Sequence, residues 1–563
     1  MRNHTKPPES ALIDSLLIFS TLLLCLFAIS VNLNRLDWMG VSWLEHSDHW
    51  HIMQMAQSWL NPVRPQEPEI VYSRLPSIFP DGMIAVLAYI LFGFKARSMY
   101  FVVILMLFSY VVSSLLLLRT IKIRVDCKIV SCIFLFTAMT LFASPSLTWS
   151  FVPVHHGGNI VSVILSLCFV IRATNLKKAF AWPLLFPLFS AGIFLFVLSN
   201  RFFLVSFVAP FLVLLILIRS QAYWLHLGCL VGSALALAVN AHMLRQGRDV
   251  IPGSDLSNFF PGAFARVMTT PVLAMLVLIF IYYVNLCLDS GRPLRFAWKY
   301  SSSPLRTNEG LFLAFSTCSL ILGLIAEYTV SGIGNQVFNL RYVFGTLMLV
   351  PLLGVVVFLR TVPKRLHESR TLSFVMVGIC LLGMAASGIG EASKAAQKNY
   401  KAALLLESVS LPTDYGLATY PYWQSLSIKG FSEGRYDVMD ASSDGTPLFW
   451  YRWKGSLFKQ KASNASSKNF LEGINGVGAD LPEEIWRSGL SLDGDGLRGY
   501  KPYSFVFVSP YMQDRVEGHY GKPSRKIYCQ EEGFDCLWIY DDFSSVLRDV
   551  KIFVDTYGES VKS

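Results

Sequence analysis

Charged side chains are scarce in this 563-residue chain: 15% of residues are Asp, Glu, Lys or Arg, against roughly a quarter in ordinary soluble domains. They are almost missing from the middles of its apolar runs. An ion-coupled transporter places ionisable residues at mid-membrane and shows paired half-repeats, so both absences argue against that class. No internal repeat or extended low-complexity tract is present. Beyond residue 390 the sequence has only two of the ten cysteines, Cys529 and Cys536, with no Cys-x-x-Cys pair and too few His to complete a four-ligand zinc site. A disulfide between them requires an oxidising compartment. The first apolar run, Ala11 to Val31, lacks a small-residue cleavage pattern leading into a soluble region and is read as a permanent span.

What is abundant is apolar surface. Hydrophobic residues make up 53% of the chain and the mean hydropathy is +0.46, so most of it cannot remain in water. The pattern predicts a polytopic α-helical membrane protein of about eleven transmembrane helices followed by a small α/β domain. The candidate spans are 11–33, 98–118, 128–144, 158–173, 179–198, 202–218, 222–242, 267–287, 311–326, 342–359 and 371–389. Residues 1–390 form the transmembrane domain, and 391–563 the soluble one. The net charge of +10 does not point to nucleic acid, because the basic residues sit in short loops between spans. With a cytoplasmic N-terminus, Arg119, Lys122, Arg124, Lys128, Arg172, Arg360, Lys364 and Arg365 all fall on the cytoplasmic side. That solution requires Met83–Phe94 not to cross. Its shortness, Pro80-Asp81-Gly82 at its start and Gly93 near its end favour an interfacial helix. The first external loop, 34–97, and the tail then share one face.

In the tail, Tyr420–Leu426, Leu448–Trp453, Tyr503–Val508 and Leu537–Tyr540 read as strands, and Glu483–Ser488 and Ser544–Val554 as helices. Its aromatics fit ordinary core packing, and stacking on sugar rings is the sharper alternative. No catalytic motif is visible there.

Chemistry-bearing residues concentrate in the external loops. After Asp48 the sequence places Trp50, Met53, Gln57 and Leu60 at helical spacing, predicting an amphipathic helix along the membrane surface with Asp48 at its start. Asp48 caps that helix, acts as a general base at the interface, or does both. Glu45 is the second candidate. A second loop ends in Val154-His155-His156-Gly157-Gly158-Asn159. His155 or His156 either packs structurally or hydrogen-bonds a phosphate or sugar hydroxyl, the glycines letting the backbone approach. Arg201 and Arg341 each open a span. Each snorkels to lipid headgroups or presents its forked donors to a phosphate, and Arg341 is the better phosphate candidate.

The order Glu45-His-Ser-Asp48-His-Trp, then Leu75-Pro76-Ser-Ile-Phe-Pro80, then Gly93-Phe-Lys-Ala-Arg97 leading to a span that ends at Arg119 resembles the GT-C superfamily of membrane glycosyltransferases. That superfamily includes protein O-mannosyltransferases and lipid A aminoarabinose transferases. The likeness is one of layout and covers about residues 11–390. It implies a lipid-linked sugar donor on a polyprenyl phosphate, an extracytoplasmic glycan, lipid or protein acceptor, and a loop carboxylate as general base, here Asp48 or Glu45. External arginines opening a late span occur in related transferases, which favours Arg341; His155, His156 and Arg201 stand as substrate-binding candidates on the residues alone. Many relatives have acidic residues adjacent or one apart, whereas Glu45 and Asp48 are three apart, so no metal cofactor is expected. Membrane lipids are partners and nucleic acid is not. We expect the bacterial inner membrane, with the tail in the periplasm. The rival readings are a transporter or flippase, an O-antigen-type polymerase and a non-catalytic assembly subunit.

Overall fold

The computed structural model describes residues 8–34, 43–45, 47–60, 77–152, 157–174, 182–217, 223–243, 270–290, 307–333, 344–362, 378, 398–412, 414–419, 425–441, 504–509, 512–527 and 536–541. Its membrane body is helical: α1 (Pro8–Asn34), α2 (Ser47–Leu60), α3 (Met83–Phe92), α4 (Ala96–Thr120), α5 (Cys127–Ala143), α6 (Gly157–Thr174), α7 (Trp182–Ser199), α8 (Ala209–Leu217), α9 (Tyr223–Met243), α10 (Thr270–Ser290), α11 (Asn308–Ile333), α12 (Phe344–Leu347) and α13 (Val350–Thr361). Four stretches are long and apolar enough to cross a membrane: Asp14–Leu33, Ala96–Thr120, Asn308–Ala326 and Phe344–Thr361. Six shorter apolar helices occupy further predicted spans, and the run 371–389 lies outside the described residues except for Gly378.

Polar contacts sort the helix ends into two groups. Near the end of α1, the Asn32 side-chain amide donates to the Leu141 carbonyl (2.9 Å) near the end of α5 and to the Thr148 hydroxyl (2.9 Å) just beyond it. At the other pole Asn308, opening α11, donates to the Thr120 carbonyl ending α4 (2.8 Å), and Arg360 near the end of α13 pairs with Glu309. Ends that a membrane-threading chain must place together are therefore together, and Arg119, Lys122 and Arg124 lie at the end marked by Asn308 and Arg360. Asp126 starts α5 by accepting the Ile129 N–H at 3.1 Å, the usual way an Asp satisfies a helix's first donors.

Between α1 and α4 the chain builds an antiparallel pair. α3 has ten residues, a rise of about 15 Å, half of what the hydrocarbon requires. Gly93, at φ 74°, ends it and turns the chain toward α4. Phe94, beyond the end of α3, stacks on Trp50 near the start of α2, while Gly82, before α3, packs against Trp59 near the end of α2. The expected stripe on α2 needs correction. Trp50 and Met53 are buried, but so are His51, Ile52, Met55 and Ala56, whereas Leu60 is exposed. Protein encloses the first half of this helix on more than one side, because a helix of the soluble domain covers it.

That domain comprises α14 (Lys398–Ser408), β1 (Tyr415–Thr419), α15 (Ser425–Phe431), β2 (Asp437–Ala441), β3 (Phe505–Val508), α16 (Gln513–Tyr520), β4 (Arg525–Ile527) and β5 (Cys536–Ile539). The sheet order is β2-β1-β3-β5-β4, with β1 parallel to β2 and β3, and β5 antiparallel to β3 and β4. Alternate residues serve opposite faces, as the two-residue strand period demands. Val506, Val508 and Trp538 pack under α16, while Phe505, Phe507 and Leu537 face the side of α14 and α15. The predicted strand 420–426 is displaced: β1 ends at Thr419, and Ser425 and Leu426 open α15. Gly416 looks out of place in a strand, yet any side chain there would overlap the Phe505 ring on β3. The strands at 503–508 and 537–540 are present within a residue or two. Segments 448–453, 483–488 and 544–554, and Cys529, lie outside the described residues; Cys536 is buried on β5.

Candidate functional site

The α2–α3 pair has a carboxylate-bearing residue toward each pole. At the first pole Glu45 closes the single turn Trp43–Glu45, and Asp48 is the second residue of α2. The Trp50 indole N–H donates to the Leu44 carbonyl at 2.8 Å and ties that turn to the helix. The soluble domain lies directly on this pole. Gly430 of α15 faces the Trp50 ring so closely that a Cβ would overlap it, and Phe431 meets the same ring edge-on at 6.1 Å. Buried Lys429 donates to the Gln54 side chain at 3.1 Å and sits 5.2 Å over Phe94. Lys95 pairs with Glu433 and holds its carboxyl below the usual range.

The second pole is the irregular turn Ile78–Gly82, which packs against α2, α3, α6 and α7. Its approach is fixed by bonds to the end of α7: Ser77 N–H donates to the Ser199 carbonyl (2.9 Å) and Phe79 N–H to the Ser199 hydroxyl (3.0 Å). The Phe79–Pro80 peptide is cis, and Ser77 adopts φ 47°. Asp81 follows, 2% exposed. Its Oδ2 accepts the Gly158 N–H at the head of α6 (3.2 Å), and its Oδ1 has no hydrogen-bond partner among the described residues. Burial pushes the carboxyl up to about 7, with the Gly158 N–H acting in the opposite direction.

A polar seam continues from the head of α6. The Ser206 hydroxyl bonds the Asn159 side chain (3.0 Å), and Ser319 on α11 donates to the Ser206 carbonyl (2.9 Å). The Thr346 hydroxyl on α12 lies 2.7 Å from that of Ser319, and all four residues are buried. Gly345 admits the close approach of α12, since a Cβ there would be 2.6 Å from Asn159 Nδ2. In apolar surroundings such hydroxyls and amides hold helices together by bonding one another.

Arg201 lies in the turn after α7, partly buried and two residues beyond Ser199. Asn200 shapes this turn, its side chain accepting the Phe202 N–H at 3.0 Å. Its connection through Ser199 to the turn 77–82 associates Arg201 with the pole of Asp81. His155, His156 and Arg341 lie outside the described residues. The helices that follow them, α6 and α12, meet at Asn159 and Gly345. Asp48 does not join this group: eleven residues separate it from Trp59 along α2, a rise of about 16 Å.

Sequence reasoning passed over Asp81. The available signal was an acid between Pro80 and Gly82 at the head of an apolar helix, where an ionisable group is costly. Among the described residues no group of three or more His, Cys, Asp or Glu is placed to hold a metal ion. Compared with known proteins, the chain matches no family model and no curated sequence.

Proposed function

We propose that this protein is a membrane glycosyltransferase that moves a sugar from a polyprenyl phosphate to an extracytoplasmic acceptor. One observation carries the reading. The first loop folds into a helical pair wedged between the membrane body and the soluble domain, with an acidic residue in the chain at each pole and the Arg201 turn at one of them.

The chemistry suits that placement. A polyprenyl phosphate sugar needs lipid for its tail and water for its head, so transfer belongs at an interface. The acceptor hydroxyl gives its proton to a loop carboxylate as its oxygen bonds the anomeric carbon. The bond from that carbon to the phosphate oxygen breaks, and the electron pair leaves with the polyprenyl phosphate. Arg201 and Arg341 neutralise that departing charge. Attack opposite the phosphate inverts the anomeric configuration. Asp48, with Glu45 beside it, is the carboxylate that sequence position suggests as the base, and the soluble domain over that pole presents or covers the acceptor.

The test is transfer by purified full-length chain in lipid nanodiscs, given farnesyl phosphate-linked hexoses and pentoses with mixed glycan, lipid and peptide acceptors. Release of farnesyl phosphate coupled to an inverted product is the expected result. Release from none of the donors, or a product of retained configuration, overturns the reading.

A further inference from the structure

We infer that Asp81, at the pole shared with the Arg201 turn and the head of α6, is the carboxylate that receives the acceptor's proton. This rests on the glycosyl-transfer reading and changes the residue at its centre.

Capping accounts for only half of this side chain. Oδ2 serves the Gly158 N–H, a task that a serine, threonine or asparagine performs without an ionisable group. Oδ1 is buried without a hydrogen-bond partner among the described residues. A carboxyl kept out of water with one oxygen unused has a cost that capping does not explain. A hydroxyl meeting Oδ1 would donate its proton into that unfilled position.

Placement supports the same residue. A base must lie within about one sugar ring of the leaving phosphate, because the reacting atoms approach to about 3 Å. Arg201 is tied through Ser199 to the backbone of Ser77 and Phe79. The N-terminal end of α2, which bears Asp48, is about 16 Å along the helix from this group. Glycines at 82 and 158 let Trp59, Pro80 and the carboxyl close around the position: a Cβ on Gly158 would lie 2.9 Å from Asp81 Oδ2.

The carboxyl's raised proton affinity suits a base working near neutrality. The titratable or charged positions on the packed elements are Asp48, His49 and His51 on α2, Tyr89 on α3, and Cys168 and Arg172 in the second half of α6. α7 has none, and Arg201 stands in the turn after it.

The experiment compares wild type, Asp81→Asn and Asp48→Asn in nanodiscs with the donor that supports transfer, over about pH 3 to 8.5. Asp81→Asn keeps an acceptor for the Gly158 N–H. A wild-type rate that rises through about pH 7 is expected, with kcat reduced at least about 100-fold in Asp81→Asn. The donor KM should change less than about threefold, and the rising limb should disappear. Asp48→Asn should keep the rising limb near pH 7, the readout that separates the two carboxylates. Should Asp81→Asn fail to fold, the wild-type profile still decides, because an exposed carboxylate base would put the limb near pH 4. A limb near 4, or one removed by Asp48→Asn and retained by Asp81→Asn, overturns the assignment of Asp81 and leaves glycosyl transfer standing. Absence of transfer by wild type overturns both.

Discussion

Gly158 lies against Pro80 so closely that a side chain on it would overlap the proline ring. Residues far apart in sequence are thereby packed together at the head of α6, where the Gly158 N–H also donates to Asp81. Gly158→Ala should lower stability by about 1–3 kcal/mol through overpacking. Thermal unfolding in detergent reads the change, and an unchanged midpoint would show that this contact gives way freely.

Protonation of Asp81 makes stability depend on pH. Burial raises its pKa from 3.8 to about 7, so the folded chain holds the proton more tightly than the unfolded one. The resulting stabilisation is complete below about pH 4 and fades as the pH climbs through 7, by about 1.4 kcal/mol for each pH unit between those limits. Asp81→Asn cannot ionise. Relative to that variant, wild type should lose melting temperature between about pH 4 and 7. Parallel curves for the two proteins would refute the raised affinity.

Docking of the soluble domain rests on Gly430 beneath Trp50. Gly430→Val should loosen α15 from α2 by about 1–3 kcal/mol. Faster amide hydrogen exchange across 425–431, with β3 and β5 still protected, is the expected signature. Equal exchange in both proteins would contradict it.

Lys95 and Glu433 form an ion pair across the same junction. Cysteines at those two positions should react together with a short bis-maleimide and be reached by an impermeant reagent from one side of sealed vesicles. A cysteine at Lys122 should be reached only from the other side. Labelling Lys95 and Glu433 positions from opposite sides would break the proposed topology.

Asn32 bridges α1 to Leu141 and Thr148. Interhelical polar bonds of this kind contribute about 0.6 kcal/mol on average and reach about 1.7. Asn32→Leu should therefore lower stability by about 1 kcal/mol and leave transfer within about twofold, measured by detergent unfolding and turnover. A loss of transfer at unchanged stability would give Asn32 a chemical role.

Properties of single segments were legible in the sequence. The long apolar runs, the start of α2 at Ser47-Asp48 and the shortness of α3 between Gly82 and Gly93 all depend on local composition and turn chemistry. Relationships between distant segments were not. Asp81 gains its character from Gly158, and β1 tolerates Gly416 because Phe505 on another strand fills the space. The covering of α2 likewise comes from α15, on the far side of the membrane body in sequence. A periodicity argument sees only one helix and could not supply it.

The antiparallel arrangement of α2 and α3 also makes them a lever. The soluble domain grips one end through Trp50 and Phe94, and the opposite end carries the turn of Asp81. Rocking a rod about 15 Å long by about 4° swings its tip through about 1 Å, a misplacement of the size that can slow positioned chemistry about 100-fold. Whatever seats or unseats the soluble domain therefore acts with mechanical advantage on a carboxyl at the far end of the rod.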